Sequence, residues 1–323
     1  MQYDSGRDFW WLFLRPWIAI PRLIQVLWTL SGLVIVLLLR GSSSDADVQR
    51  GLARRILNTL TGLGPCFIKL GQALSTRPDL VRRDWLEELT RLQDDLPAFP
   101  HSIALSRIEQ ELGAPAEQLF EEFPSAPIAA ASLGQVYKAR LEGQSWVAVK
   151  VQRPNLTFIL RRDLVLIRAL GVLTAPFLPL NLGFGLGSII DEFGRSLFEE
   201  IDYEQEADNA ERFATLFADN PAVYVPRVER MLSSTRVLTT TWIEGSKMRD
   251  SQELIDQRLD PAALIRTGVI CGLQQLLEFG YFHADPHPGN LFALQGRSGD
   301  MGHVGYVDFG MMDTISDSDR LTL

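Results

Sequence analysis

His283-Ala284-Asp285-Pro286-His287-Pro288-Gly289-Asn290 is the stretch on which the reading of this chain turns. It packs an aspartate and an asparagine five residues apart into a segment whose prolines and glycine favour a loop over a helix. Upstream, Asp260-Pro261 opens an apolar helical run that continues to Phe279; downstream, two short strands near 291–294 and 303–307 flank a glycine-bearing turn. A plain helix-to-strand connection needs none of the polar groups in 283–290. The second strand runs into Val307-Asp308-Phe309-Gly310, which adds another carboxylate. Far upstream, Val147-Ala148-Val149-Lys150 places a lysine in an apolar strand. An unpaired ammonium there is unfavourable, so Lys150 requires an anion, either a helix glutamate or a phosphate.

The rest of the chain sets the frame. It has 323 residues, 46% hydrophobic and 22% charged, enough for a large globular core. A net charge of -9 argues against a nucleic-acid partner held through phosphates. Cys66 and Cys271 form no CxxC pattern, which suits a reducing compartment. Helical periodicity covers 47–62, 66–75, 83–93 and 102–112; β-rich segments follow at 135–141 and 145–152, then a helix from Asn155 to about Leu173. A Pro/Gly-rich connection (175–187) leads to one long helix from about Ser188 to Ala218 and a strand at 235–243. The order predicts an α+β protein: a hydrophobic segment at 1–41, a helical extension at 45–125, a lobe with a small sheet at 126–245, and a helical lobe at 246–323.

The N-terminal segment is distinct. Leu23–Leu39 holds 17 residues without a charge, with Trp10, Trp11, Trp17 and Trp28 in or near it. Such a helix reaches ~26 Å, short of a ~30 Å hydrocarbon core, and Pro21 and Arg22 stop it from extending backwards. The expectation is therefore a membrane-associated segment, spanning or interfacial, with packing on the protein's own core as the alternative.

Asn290 and Asp308 offer oxygen donors that suit Mg²⁺, Lys150 can meet phosphate, and Asp285 can orient or deprotonate a nucleophile. Together these are the parts of phosphoryl transfer from ATP or ADP with Mg²⁺, set in the order found in protein kinases.

The chain resembles the UbiB/AarF atypical kinase-like family, associated with ubiquinone and other prenylquinone metabolism. The resemblance rests on Lys69-Leu70-Gly71-Gln72 within Cys66–Leu80, on the alanine-rich Ala129-Ala130-Ala131-Ser132 loop where a kinase has glycines, on Glu200 and Asp202 with Glu206 beyond them, and on the DPHPGN ending of the 283–290 loop. It implies a bilobal protein-kinase-like fold. Lys69 would pair with Glu200 or Asp202; Glu206 would hold Lys150; Ala129, Ala130, Ala131, Ser132 and Lys150 would line the nucleotide; Thr240 would be the gatekeeper and Thr241, Trp242 and Ile243 the adenine-binding hinge. His283 would brace the loop, and His287 stands where serine/threonine kinases usually have a lysine. Alanines in place of glycines predict a stiffer loop. Ala284 stands where kinases have an arginine that reads a phosphorylated activation loop, so that switch is not expected.

The resemblance further implies membrane lipids, isoprenoid or quinone intermediates and quinone-biosynthesis enzymes as partners, with the kinase-like part on the cytoplasmic or stromal-type side of a membrane. Only 13 residues follow Gly310, so a fragment or a reduced C-terminal lobe is expected. Two rivals stay open: a small-molecule phosphotransferase, which shares the HxDxHPxN loop, and a non-catalytic nucleotide-gated module that binds lipid or partner enzymes.

Overall fold

The computed structural model describes residues 3–43, 45–75, 81–90, 97–143, 145–177, 185–248, 251–294, 303–320 and 322, the side chains of 83, 84, 87 and 90 apart. The end of the 66–80 motif, residues 91–93 of the expected 83–93 helix, most of the 175–187 connection and the turn between the two late strands lie outside the described residues.

In chain order the elements are α1 (Ser5–Phe13), α2 (Pro16–Arg40), α3 (Ala46–Leu63), α4 (Pro65–Ser75), α5 (Arg83–Thr90), α6 (His101–Leu112), α7 (Ala116–Leu119), β1 (Ala129–Ala130), β2 (Gly134–Arg140), β3 (Trp146–Gln152), α8 (Leu156–Thr174), α9 (Leu186–Glu200), α10 (Tyr203–Leu216), β4 (Val223–Tyr224), β5 (Val237–Thr241), β6 (Ser246–Lys247), α11 (Ser251–Asp256), α12 (Pro261–Leu273), β7 (Tyr281–His283), β8 (Leu291–Leu294), β9 (His303–Tyr306), β10 (Met312–Thr314) and α13 (Asp317–Arg320). The α+β composition is as the residue patterns predict. One sheet has the order β1-β2-β3-β5, a second β4-β9-β8-β6, and β7 pairs with β10.

The chain divides into two compact units that interleave the consecutive stretches read from the sequence. One comprises residues 1–104, 127–136 and 152–198, the other 105–126, 137–151 and 199–323. In the first unit, α1, α2 and α4 pack against α8, and α3 packs against α2, α4 and α5. Leu12, Val165 and Leu166 form a core there with Trp11, Ile18, Ala19 and Leu23 against it.

The expected stop at Pro21–Arg22 is absent: α2 runs 25 residues through both. Arg22 is buried, with Nε and Nη2 on the Asp163 carboxylate at 3.0 and 2.7 Å and Nη2 also on the Leu63 carbonyl, so it anchors the helix instead of ending it. At ~1.5 Å per residue α2 is ~37 Å long, long and apolar enough to cross a membrane by length and composition.

The second unit is built round α10. Tyr203, Ala207, Ala210, Phe213 and Phe217 recur at helical spacing and bury against Leu238, Leu264, Cys271, Tyr306 and Phe309 among others. The single helix expected over 188–218 is two: the chain turns at Ile201–Asp202, where the Asp202 carboxylate caps α10 by accepting from the Gln205 N–H at 3.4 Å. Asp-x-x-Gln is a capping-box spacing, which explains the break. Likewise α12 begins at Pro261 with Asp260 as its cap, but ends at Leu273 and passes into a π-helical turn, Gln274–Phe279. The capping N–H of Gly280, at φ 59°, closes that turn on the Gln275 carbonyl. A Cβ on Gly280 would sit 3.2 Å from the Ile315 carbonyl oxygen, so both backbone angle and space call for glycine.

Candidate active site

Strand alternation explains how Lys150 is presented. On β3, Val147, Val149 and Val151 are fully buried, which turns Ala148 and Lys150 to the opposite face. Register with β5 (Lys150 opposite Leu238) fixes its position along the strand. Its ammonium lies 2.9 and 2.8 Å from the two carboxylate oxygens of Glu206 on α10, 3.5 Å from Asp308 Oδ2, and 4.9 Å from the centre of the Tyr203 ring. Glu206 is 1% exposed, while Lys150 keeps 25% of its side chain open and Asp308 37%. The pair is therefore held from inside and faces outward at the Asp308 end.

Desolvation alone would lower the Lys150 pKa, but the Asp308 and Glu206 carboxylates outweigh it and hold the ammonium well above its usual range. Burial pushes Glu206 up to about 7; Lys150 opposes that push, and Asp308 and Glu200 add to it.

The 283–290 loop is braced by its own histidines. Asp285 N–H donates to His283 Nδ1 at 3.1 Å, so Nδ1 is unprotonated, and His283 Nε2 meets the Asp308 carbonyl at 2.5 Å with its hydrogen. His287 Nδ1 accepts from the Gly289 N–H at 3.1 Å and caps a 3₁₀ turn, Pro288–Asn290. Asn290 Nδ2 donates to the Asp285 carbonyl at 3.3 Å, and its own carbonyl accepts from Val307 N–H at 3.2 Å. Pairing of β7 with β10 (His283 opposite Met312) and of β8 with β9 (Leu291 opposite Tyr306) ties both ends of the loop to the segment bearing Asp308. Asp308 Oδ1 accepts from the Gly310 N–H at 3.1 Å. A Cβ at Gly310 would press on that oxygen at 3.3 Å and on Glu200 Cγ at 3.4 Å.

The structure thus brings Lys150, Glu206 and Asp308 into contact, and ties Asp285 and Asn290 to the Asp308 segment. At the hinge, the Thr241 N–H donates to the Arg227 carbonyl and the Trp242 N–H to the Trp146 carbonyl, at 2.8 and 2.9 Å. The N–H groups of Thr241 and Trp242, expected at adenine, are thus committed within the protein. A cavity of about 600 Å³ runs along the hinge, lined by Trp242, Ile243, Glu244, Gly245, Leu259 and Leu294 among others, and does not reach Lys150 or Asp308.

The alanine-rich loop and the Lys69–Gln72 motif lie in the first unit. Ala129 and Ala130 form β1, paired with Val136 and Gln135. The Ala131 N–H donates to the Gly134 carbonyl and its carbonyl accepts from Arg153 Nε, at 2.8 and 2.9 Å, while Ser132 is buried. Both backbone groups of Ala131 are thus committed, leaving its N–H unavailable to a phosphate. Lys69 and Gln72 sit on α4, whereas Glu200 ends α9 and Asp202 caps α10 in the second unit.

Sequence reasoning missed Gln275. It is buried in the π-helical turn, its Oε1 accepts from the His283 N–H at 2.9 Å, and its side chain also bonds the Tyr306 hydroxyl. The signal was available, because a polar residue four positions after buried Cys271 lies on the core face of an apolar helix.

Comparison with known proteins agrees with this architecture. The ABC1 atypical kinase-like domain matches residues 91–323. A Synechocystis protein is 48% identical over 311 residues, 96% of this chain and 54% of its own length. The Arabidopsis thaliana chloroplastic protein ACTIVITY OF BC1 COMPLEX KINASE 1 is 44% identical over 309 residues, covering 94% of this chain and 44% of its own length. Among solved structures, the complex of Rv3197 with erythromycin from Mycobacterium tuberculosis has a TM-score of 0.53 and 31% identity, covering 83% of this chain and 66% of that one. The chain spans about half the length of the curated relatives it matches. It belongs to the ABC1 atypical kinase-like family, the UbiB/AarF group.

Proposed function

We propose that this chain carries the Mg·ATP site of an atypical kinase-like enzyme, an ATPase or phosphotransferase that supports prenylquinone or isoprenoid-lipid metabolism at a membrane. The observation that carries the reading is the Lys150 ammonium gripped by Glu206 and facing Asp308, with Asp285 and Asn290 on a loop tied to the same segment.

The donor set fits magnesium. Among the described residues no group of three or more His, Cys, Asp or Glu is gathered, so Asn290 and Asp308 would supply two oxygens and leave other positions to phosphate and water. When bound, Mg·ATP supplies the electrophilic γ-phosphoryl group and a metal charge that offsets its oxygens. Lys150, held charged, would contact the phosphates, and Glu206 fixes where its ammonium points. Asp285, exposed at the head of its loop, would accept the proton of an attacking hydroxyl or water. His283 holds Asp285 and Asp308 in one register, which serves orientation. ADP is an alternative occupant.

Membrane lipids, isoprenoid or quinone intermediates and quinone-biosynthesis enzymes are the partners this reading requires, with the kinase-like part on the cytoplasmic or stromal-type face. Support comes from the family, from the chloroplastic relatives and from the apolar α2. Nucleic acid is disfavoured by the net charge of -9.

The test is thermal stabilisation by Mg·ADP and Mg·ATP, followed by ATPase turnover with and without liposomes. Asp308→Asn should abolish the magnesium-dependent stabilisation; unchanged stabilisation would sink the metal assignment. Asp285→Asn should bind nucleotide without turnover. Nucleotide binding without turnover in the wild type, under either condition, would favour a nucleotide-gated binding module, and a stoichiometric phosphorylated metabolite a small-molecule kinase.

A further inference from the structure

The geometry points to a lipid surface as the partner of the exposed α1–α2 face, with α2 lying in the plane of one leaflet instead of crossing the bilayer. This deepens, and rests on, the membrane association proposed above.

One side of α2 is spoken for along its length. Ile18, Ala19 and Leu23 pack on the Leu12–Val165–Leu166 core, Arg22, Val26 and Leu33 are buried, and α3 and α8 flank the helix. The other side is open and apolar. Trp17, Ile24, Trp28 and Ile35 are all exposed, and at ~100° per residue they fall within ~40° of one another on a single stripe. On α1, Trp10 and Phe13 are exposed as well.

Three observations choose the flat placement. First, a crossing helix meets hydrocarbon all round, yet α2 is covered by α3, whose exposed positions include Arg50, Arg54 and Arg55. Carrying α2 through a bilayer would take those guanidinium groups with it, each strongly unfavourable at mid-depth. Second, Trp28 is 81% exposed and is the midpoint of Pro16–Arg40, with twelve residues on either side. Crossing would put this indole at the bilayer centre, whereas indoles favour the interface. Lying flat puts Trp17 and Trp28 at one depth, near headgroup level.

Third, charge selects lipid over a second copy of the chain. Residues 1–63 hold seven basic and four acidic side chains, a balance of +3, and the chain total of -9 leaves -12 for the remainder. A basic, Trp-rich apolar face is drawn to anionic headgroups, while two such faces repel each other. Arg15 and Arg40 bracket α2 and can both reach headgroups on the same side only if the helix lies flat.

The experiment uses the full chain with vesicles of phosphatidylcholine, with and without phosphatidylglycerol. Cysteine is introduced singly at Ile24, Ser31 and Leu38, spin-labelled, and its depth read by paramagnetic accessibility; the native Cys66 and Cys271 are buried. The three exposed positions share a face and advance ~10 Å along the axis at each step of seven. The expected result is flotation with vesicles, strengthened by phosphatidylglycerol and weakened about tenfold or more by Trp28→Glu, with the three labels at one shallow depth.

Labels at Ile24 and Ser31 deep and Leu38 shallower would show a crossing helix and overturn the flat placement, leaving membrane association standing. No flotation in either lipid would overturn both. A dimer in solution that Trp28→Glu dissolves, without flotation, would assign the face to a second copy. Mg·ADP stabilisation, measured separately without lipid, reports on the nucleotide reading whatever the vesicles show.

Discussion

Gln275→Leu separates a positioning residue from a packing one. Gln275 Oε1 accepts the buried His283 N–H at 2.9 Å, and the Gln275 side chain bonds the Tyr306 hydroxyl. Leucine has nearly the same volume, so little cavity is created, but two buried polar groups lose their partner. Each such loss costs about 1–3 kcal/mol, so roughly 2–6 kcal/mol in all is expected. At ~2–4 °C per kcal/mol for a domain of this size, melting should fall by roughly 4–24 °C. The decisive readout is Mg·ADP affinity. His283 contacts the Asp285 N–H through Nδ1 and the Asp308 carbonyl through Nε2, so a shift of its backbone moves both carboxylate-bearing segments. If ~1.4 kcal/mol of the loss is expressed there, affinity drops about tenfold. Tyr306→Phe is the control, since it removes the phenol and leaves Gln275 on His283; it should lower melting with affinity intact. An unchanged Mg·ADP dissociation constant in Gln275→Leu, alongside lowered melting, would refute the positioning argument.

Two further outcomes follow from the charges. Glu206 titrates near 7 in the folded state against an ordinary 4.5, so between those values the native protein holds a proton that the unfolded chain has lost. Its stabilisation is full below about 4.5 and is lost as pH rises through 7 in magnesium-free, nucleotide-free protein, a decline that Glu206→Gln should remove in denaturant titrations across that window. Arg22→Met leaves the fully buried Asp163 with Arg162 at 2.8 Å as its remaining charge partner and should cost about 3 kcal/mol, whereas Arg22→Met with Asp163→Leu should recover most of that; a double variant as unstable as the single one would refute the pairing.

Much of this architecture was legible where residue spacing is local. The β3 strand, the Asp260 cap and the loop at 283–290 follow from alternation, capping chemistry and proline placement. Two boundaries were misread for reasons that are local too. The Asp202 cap hid inside an acidic run, and Pro21 looked like a stop because nothing in the sequence shows that Arg22 meets Asp163, 141 residues away. The π-helical turn at 274–279 was illegible as a π turn, since Gly280 marks its end but the extra residue per turn has no compositional sign. Committed N–H groups at Ala131, Thr241 and Trp242 depend on partners such as Gly134, Arg227 and Trp146 and on strand register, which no motif reports.

The chain passes between its two units immediately after Val151 and immediately before Glu199, one residue beyond Lys150 and one before Glu200. Lys150, expected to meet phosphate, and Glu200, expected to pair with Lys69, are thus joined by very short backbone to segments of the unit that carries the apolar α2. If lipid binding by that unit and nucleotide binding by the other are coupled, the coupling is a single free energy and must be reciprocal. Vesicles that tighten Mg·ADP binding by some factor must then be bound more tightly by the same factor when Mg·ADP is present; a coupling of roughly 1–3 kcal/mol makes that factor about 5 to 150. Isothermal titration of Mg·ADP with and without vesicles, set beside vesicle titration with and without Mg·ADP, measures both sides. Equal factors above unity are the expected result. A factor of one on both sides would show that the units bind independently, and the membrane would then serve only to bring the enzyme to an apolar acceptor.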